Sequence, residues 1–148
     1  MNINVLIIED NDGDYLLMST ALQNHINRFT VKRAKTLREA LTILRTEDTD
    51  LVMTDLHLPD SNGCETVDKI RENLCDGTPI VVVTGRDEDE IIEACIVRGA
   101  YTFLHKSEMN GNLRRAILAA HTKHKQEEEK TERFVSAIRE SFAFATTT

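Results

Sequence analysis

Four short apolar runs in this chain each end in residues able to handle a phosphate or a metal. Residues 3–8 give way to Glu9 and Asp10, 51–54 to Asp55, 80–83 to Thr84, and 101–104 to His105 and Lys106. Brought together, these ends would place three carboxylates, a hydroxyl and an ammonium in one crevice. Three close carboxylates repel and raise one another's pKa. A hard divalent cation with oxygen ligands, such as Mg²⁺, relieves that repulsion. A cation beside a carboxylate is also what phosphoryl transfer to that carboxylate needs. Charge spreads over the equatorial oxygens, and catalysis is mostly positioning and electrostatics. Lys106 and the cation can hold separate phosphoryl oxygens, the Thr84 hydroxyl can donate to a third, and Gly85 leaves the crevice open. These are the parts of an aspartyl-phosphate site. Taken singly, each residue also has a bland reading as a loop acid, a strand terminus or a solvated lysine. Their joint placement at four run ends favours function.

The elements that must position them alternate in type. Residues 3–8 are rich in β-branched side chains and predict a buried strand. Residues 14–26 place Leu17, Met18, Ala21, Leu22 and His25 at helical spacing. A weaker strand is expected over 29–34. Leu37, Ala40, Leu41 and Leu44 then share one helix face, and 51–54 is strand-like. Pro59, Asp60, Ser61, Asn62 and Gly63 form a turn cluster before a helix over 64–73. Pro79 opens the cleanest strand, 80–83. A helix over 87–98 has acids in its first turn and Gly99 as its cap. A fifth strand (101–104) and a fifth helix, marked by Leu113, Ala116, Ile117 and Ala120, complete the order. The fold class is α/β: a doubly wound, five-stranded parallel sheet covered by five helices, with a C-terminal helical extension. Sites in such sheets lie at the carboxyl ends of the strands.

The bulk numbers agree with one such domain. The chain has 148 residues, 41% hydrophobic and 29% charged, enough to bury a core without a disulfide or metal staple. A net charge of -7 argues against a nucleic-acid or acidic-membrane binder. Basic residues at Arg114, Arg115, Lys123 and Lys125 are interrupted by acids and read as a solvated helix face. Cys64, Cys75 and Cys95 form no C-x-x-C pair and read as small buried side chains in a reducing compartment. No signal peptide and no stretch long enough to span a membrane is evident, so the expected location is cytoplasmic.

Four segments of this sequence resemble the response-regulator receiver family, the CheY-like (flavodoxin-like) fold of two-component systems. They are Val5-Leu6-Ile7-Ile8-Glu9-Asp10-Asn11, the stretch from Leu51 to Gly63 (LVMTDLHLPDSNG), Pro79-Ile80-Val81-Val82-Val83-Thr84-Gly85, and Gly99-Ala100-Tyr101-Thr102-Phe103-Leu104-His105-Lys106. The resemblance covers roughly residues 1–122 and leaves 123–148 as the extension. It implies Asp55 as phosphoacceptor, with Asp10 binding Mg²⁺ directly, Glu9 mainly through water, and the His57 backbone carbonyl as a further ligand. Lys106 would contact the phosphoryl group, Thr84 would swing inward to it, and Phe103 would follow as the switch aromatic. The phosphoryl donor would be a sensor histidine kinase or a histidine phosphotransfer protein, and the output a contact with a downstream protein. The chain would be no enzyme beyond its own phosphorylation and dephosphorylation.

Three departures from the family pattern stand out. The switch aromatic, often Tyr, is Phe103, which cannot make a hydroxyl bond. Lys106 is followed by Ser107 instead of the usual proline. His57 and Arg86 occupy variable positions that flank the phosphoryl group, and they are expected to set the lifetime of the phosphorylated state.

Competing readings are a phosphorylation-independent interaction scaffold, an aspartyl-phosphate phosphatase and a nucleotide-binding α/β protein. Intact Asp10, Asp55, Thr84 and Lys106 argue against the scaffold. The phosphatase lacks its second aspartate, since His57 stands two residues after Asp55. The turn after the first strand, Asp10-Asn11-Asp12-Gly13-Asp14, is acidic instead of glycine-rich and would repel a nucleotide phosphate.

In the extension, 121–133 is highly charged and reads as a solvated helix. Phe134, Val135, Ile138 and Phe142 then return at helical spacing. His124, Glu127 and Thr131 interrupt the seven-residue phase, so a long coiled coil is not supported. Either this extension packs back on the receiver or it pairs with a partner or a second copy; pairing is favoured, and a homodimer is open through the extension or through the face of the fourth helix, fifth strand and fifth helix.

Overall fold

The computed structural model describes residues 2–23, 28–75, 77–85 and 89–146. Among the described residues, seven strands and five α-helices follow one another as β1 (Asn2–Ile8), α1 (Asp12–Gln23), β2 (Arg28–Ala34), α2 (Leu37–Thr46), β3 (Leu51–Thr54), β4 (His57–Leu58), β5 (Ser61–Asn62), α3 (Cys64–Glu72), β6 (Ile80–Thr84), α4 (Asp89–Val97), β7 (Thr102–His105) and α5 (Met109–Thr146). A 3₁₀ turn, Lys106–Glu108, joins β7 to α5. Five strands form one parallel sheet in the order β2-β1-β3-β6-β7. β4 and β5 form a separate antiparallel hairpin over the expected turn cluster.

The alternating side chains of the strands feed two cores. Leu6, Ile8, Val52 and Val82 point to one face, where Leu37, Ala40, Val67, Ile70 and Cys95 of α2, α3 and α4 cover them. Ile3, Val5, Ile7, Met53, Val81 and Val83 point to the other, under Met18 and Leu22 of α1 and Leu113, Ile117 and Ala120 of α5. β3 and β6 are buried at every residue, which is why they read as unbroken apolar runs. Fully burying one such side chain stabilises the fold by roughly 1.5–3 kcal/mol.

Helix ends are held by contacts that cross the sequence. Thr36 caps α2, its hydroxyl accepting from Glu39 N at 3.1 Å. Asp60, in the β4–β5 turn, accepts from Leu37 N and Arg38 N at 2.8 and 2.9 Å. α4 ends on Gly99 at φ +117, with Ala100 N donating to Cys95 O, a Schellman-type closure that needs the left-handed region. A β-carbon there would also stand 3.2 Å from Arg71 Nε. Arg71 itself donates to Thr78 O and Gly99 O, both at 2.7 Å, and ties α3 to the end of α4.

Several expectations are revised. The bland cysteine reading holds for Cys95, while Cys64 is half-buried and Cys75 is exposed. The Cys64 and Cys95 sulfurs are 2.9 Å apart, and burial, then the contact with Cys64, pushes the Cys95 thiol up to about 12. Arg114 is half-buried with its Nε shut from solvent and unpaired, so it does not belong to a solvated face. α1 is described only to Gln23, and His25 and Ile26 lie outside the described residues.

No break separates the fifth helix from the extension, because α5 runs through as one helix of 38 residues. The charged run 121–133 is solvated as read, except that His121 and His124 are half-buried. His124 Nε2 lies 3.1 Å from Glu128 Oε1, Lys123 sits over the Tyr101 ring at 5.5 Å, and burial first of all lowers the pKa of His121. From 125 to 141 every residue is exposed. No helix of the described residues is long and apolar enough to cross a membrane.

Candidate functional site

The strand order reverses between β1 and β3, and the crevice at their carboxyl ends is where a doubly wound sheet leaves space for a ligand. Glu9 follows β1 and is fully buried, its backbone N–H donating to Ala34 O. Asp10 follows it into solvent. Asp55 follows β3, its N–H donating to Ile8 O at 3.1 Å, and only 6% of it is exposed. Carboxylate oxygens of Glu9, Asp10 and Asp55 all lie within 4.8 Å of one another.

Lys106, just past β7, enters this cluster from the opposite side. Its Nζ is 3.0 Å from Asp55 Oδ2, 3.2 Å from Glu9 Oε2 and 2.7 Å from Asp14 Oδ2. Burial works against the ammonium, but Asp14, Asp55 and Glu9 outweigh it and hold its pKa above the ordinary value. Glu9 is pushed the other way for an acid, up to about 7, by burial first and then by the Asp55 charge. Its Oε1 accepts from Asn11 N at 3.2 Å, while Oε2, shut from solvent, accepts no hydrogen bond. The 3.2 Å approach of Lys106 to that oxygen is therefore a charge contact without hydrogen-bond alignment. A buried carboxylate oxygen with no donor, beside two further carboxylates, suits a hard cation.

The remaining expected residues surround this cluster. His57 N donates to Asp55 Oδ1 at 3.2 Å, and its ring Nδ1 lies 2.6 Å from Asn62 Oδ1 across the hairpin. Thr84 closes β6 and is fully buried. At the next residue, Gly85, a β-carbon would stand 3.5 Å from Lys106 Cδ. Phe103 pairs in register with Val82, packs partly buried against the α2–α3–α4 core, and meets the His105 ring edge-on at 5.7 Å. The structure has no cis peptide bond among the described residues, so Lys106-Ser107 is trans and leads into the 3₁₀ turn. Arg86 lies outside the described residues.

Two residues join the site without having been singled out. Asp14 reaches Lys106 across 92 positions of sequence. Arg33 donates to the Glu9 carbonyl at 3.1 and 3.2 Å and pairs with Asp12 at 2.7 Å, fixing the acidic turn. The only signal for Asp14 was its place in the acid-rich loop after β1; Arg33 had none.

Comparison with known proteins adds an independent line. Residues 5–118 match the family described as the response regulator receiver domain. The chain is 32% identical over 121 residues to the KDP operon transcriptional regulatory protein KdpE of Escherichia coli, covering 82% of this chain and 52% of that protein. It is 32% identical over 105 residues to the autoinducer 2 sensor kinase/phosphatase LuxQ of Vibrio parahaemolyticus, covering 71% of this chain and 12% of that one. The chain thus spans about half the length of the first relative and a small part of the second. Among solved structures, the signal receiver domain of an HD domain-containing protein from Pseudomonas fluorescens superposes with a TM-score of 0.77 at 23% identity, over 86% of this chain and 92% of that one. The beryllofluoride-activated NtrC4 receiver domain dimer gives 0.71 at 26% identity, over 82% and 98%. With the crevice, the strand order and the sequence match in agreement, the chain belongs to the response regulator receiver domain family.

Proposed function

We propose that this chain accepts a phosphoryl group on Asp55 in a Mg²⁺-dependent reaction and passes the change on by protein contact. The observation that carries the reading is the Lys106 ammonium 3.0 Å from Asp55 Oδ2, beside the carboxylates of Glu9 and Asp10. Glu9, Asp10, Asp55 and the His57 carbonyl would hold Mg²⁺, which supplies charge stabilisation to the transferring phosphoryl group. An Asp55 carboxylate oxygen attacks phosphorus as the bond to the donor's leaving atom breaks. Lys106 exchanges its contact with Asp55 for a phosphoryl oxygen, and the Thr84 hydroxyl donates to another. Attack by water on the aspartyl phosphate later returns free phosphate and the carboxylate. His57 and Arg86, the latter on its sequence position alone, gate that water and set the lifetime.

The chain then acts on itself alone and is not an enzyme toward a separate substrate. Residues 1–122 form the receiver and 123–148 the extension, a division supported by the end of burial just past Ala120. The donor is a sensor histidine kinase or a histidine phosphotransfer protein. Leu16 and Leu17 of α1, 64% and 43% exposed and close in sequence to Asp14, offer it an apolar contact. Output runs through Thr84 and Phe103 to the α4–β7–α5 face, where Ile96 and Val97 are exposed. A cytoplasmic location suits both partners.

The test is intact mass after incubation with Mg²⁺ and acetyl phosphate, beside an Asp55→Asn variant. A gain of one phosphoryl group, lost with the variant or with chelator, is expected. No gain under conditions that label a control receiver overturns the reading.

A further inference from the structure

Beyond its root, α5 is left without cover inside the chain over residues 125–141. Residues 125–141 are all exposed, yet Phe134 is 67% exposed, Val135 38% and Ile138 41%. With Thr131 one turn earlier they form a stripe at spacings of three and four, and the sequence repeats the spacing at Phe142. Helices in proteins gain most of their stability by packing such a face against another surface.

Charge beside the stripe is unevenly divided. Residues 127–132 hold four glutamates and one lysine, whereas 133–140 hold two arginines and one glutamate. Two copies lying in the same direction would set acidic half on acidic half. Two copies in opposite directions set the acidic half of each on the basic half of the other. When Val135 of one copy faces Ile138 of the other, Glu132 of each falls on the same flank as Arg139 of the other. The two are about 3 Å out of level along the axis, within reach of long side chains. The symmetry makes this contact twice.

We propose that the exposed stripe of α5 is the docking surface for a second copy of this chain, paired antiparallel over the segment from Glu128 onward. Each receiver body then sits at its own end of the helix pair. The NtrC4 receiver, 26% identical, was solved as a dimer.

The test is sedimentation equilibrium on the full chain over a range of concentrations, with circular dichroism confirming that each variant folds. The wild type should dimerise and Ile138→Glu should be monomeric. Glu132→Arg and Arg139→Glu should each weaken the dimer by roughly tenfold, because two exposed pairs turn from attraction to repulsion. Combining the two should restore it. A wild-type monomer at every concentration up to the solubility limit overturns the proposal. A dimer indifferent to Ile138→Glu overturns the surface. A dimer lost with Ile138→Glu but not restored by the double charge exchange overturns the antiparallel arrangement.

Discussion

The ammonium of Lys106 rests 3.0 Å from Asp55 Oδ2, holding the carboxylate that would receive phosphorus in a charge-paired state before any donor arrives. The same nitrogen is 2.7 Å from Asp14, which stands outside the acceptor cluster and positions the lysine from the α1 side. Removing a charge aimed at the transferring group costs about 10²–10³ in rate. Lys106→Met should therefore lower the initial rate of labelling by acetyl phosphate by that order. Asp14→Asn keeps the lysine and should cost roughly tenfold or less on the same scale. Equal losses in the two variants would show that Asp14 does more than position.

In metal-free protein the buried Glu9 should make stability fall with pH. Its pKa rises from 4.5 to about 7 on folding, through burial and the Asp55 charge, so the folded state binds the extra proton. That stabilisation is fully present below the unfolded value and is lost as pH climbs through the folded one. Urea unfolding in chelator should show the decline between about pH 4.5 and 7, at most about 1.4 kcal/mol per unit of displacement. Glu9→Gln should flatten it.

Asp60 caps α2 from the β4–β5 turn. Slight burial opposes its ionisation, but the N–H groups of Arg38 and Leu37 prevail and keep the carboxyl below its usual range. Asp60→Ala should cost about 1 kcal/mol at neutral pH. A group depressed in this way stabilises above its unfolded pKa, so wild type and variant should converge as pH falls through the folded value. Chemical denaturation at two pH values measures the difference.

Arg71 makes two charge-assisted bonds to carbonyls at the start of β6 and the end of α4. Arg71→Ala strands Thr78 O and Gly99 O and should cost about 2–4 kcal/mol. Arg71→Lys, without the planar fork, should recover only part of that. A thermal melt separates the three proteins by about 2–4 °C per kcal/mol.

The strands that matter most could be read from sequence because they are buried on both faces. A run such as Ile80-Val81-Val82-Val83 has no polar alternation to confuse it. The acidic site was legible for a related reason, since strand ends in a parallel sheet are forced to one edge. Asp14, Arg33 and Asp60 were not legible. Each acts on a backbone or side chain more than 20 residues away, and only the closed fold sets that distance. The helical extension was legible in the charged run 121–133 and the apolar spacing from Phe134; only its continuity with the fifth helix was not, because charged Glu and Lys favour a helix without marking where one ends. Arg114, read as solvated, shows the converse, because a long side chain can bury its stem and nitrogen against the body.

α5 begins three residues after Lys106 and continues to Thr146 without a break. Beyond the packed root, the 22 residues from 125 to 146 make a rod of about 33 Å. It is a lever whose fulcrum, at His124 beside Gly77, lies at the amino ends of the strands, across the body from the acceptor site. A tilt of about 5° at the root, too small to disturb the core, sweeps the far end through about 3 Å. A sideways movement of that size takes side chains at the far end out of van der Waals contact with a paired helix. A change of pitch at the far end of the rod thus needs only a small movement where α5 leaves the body.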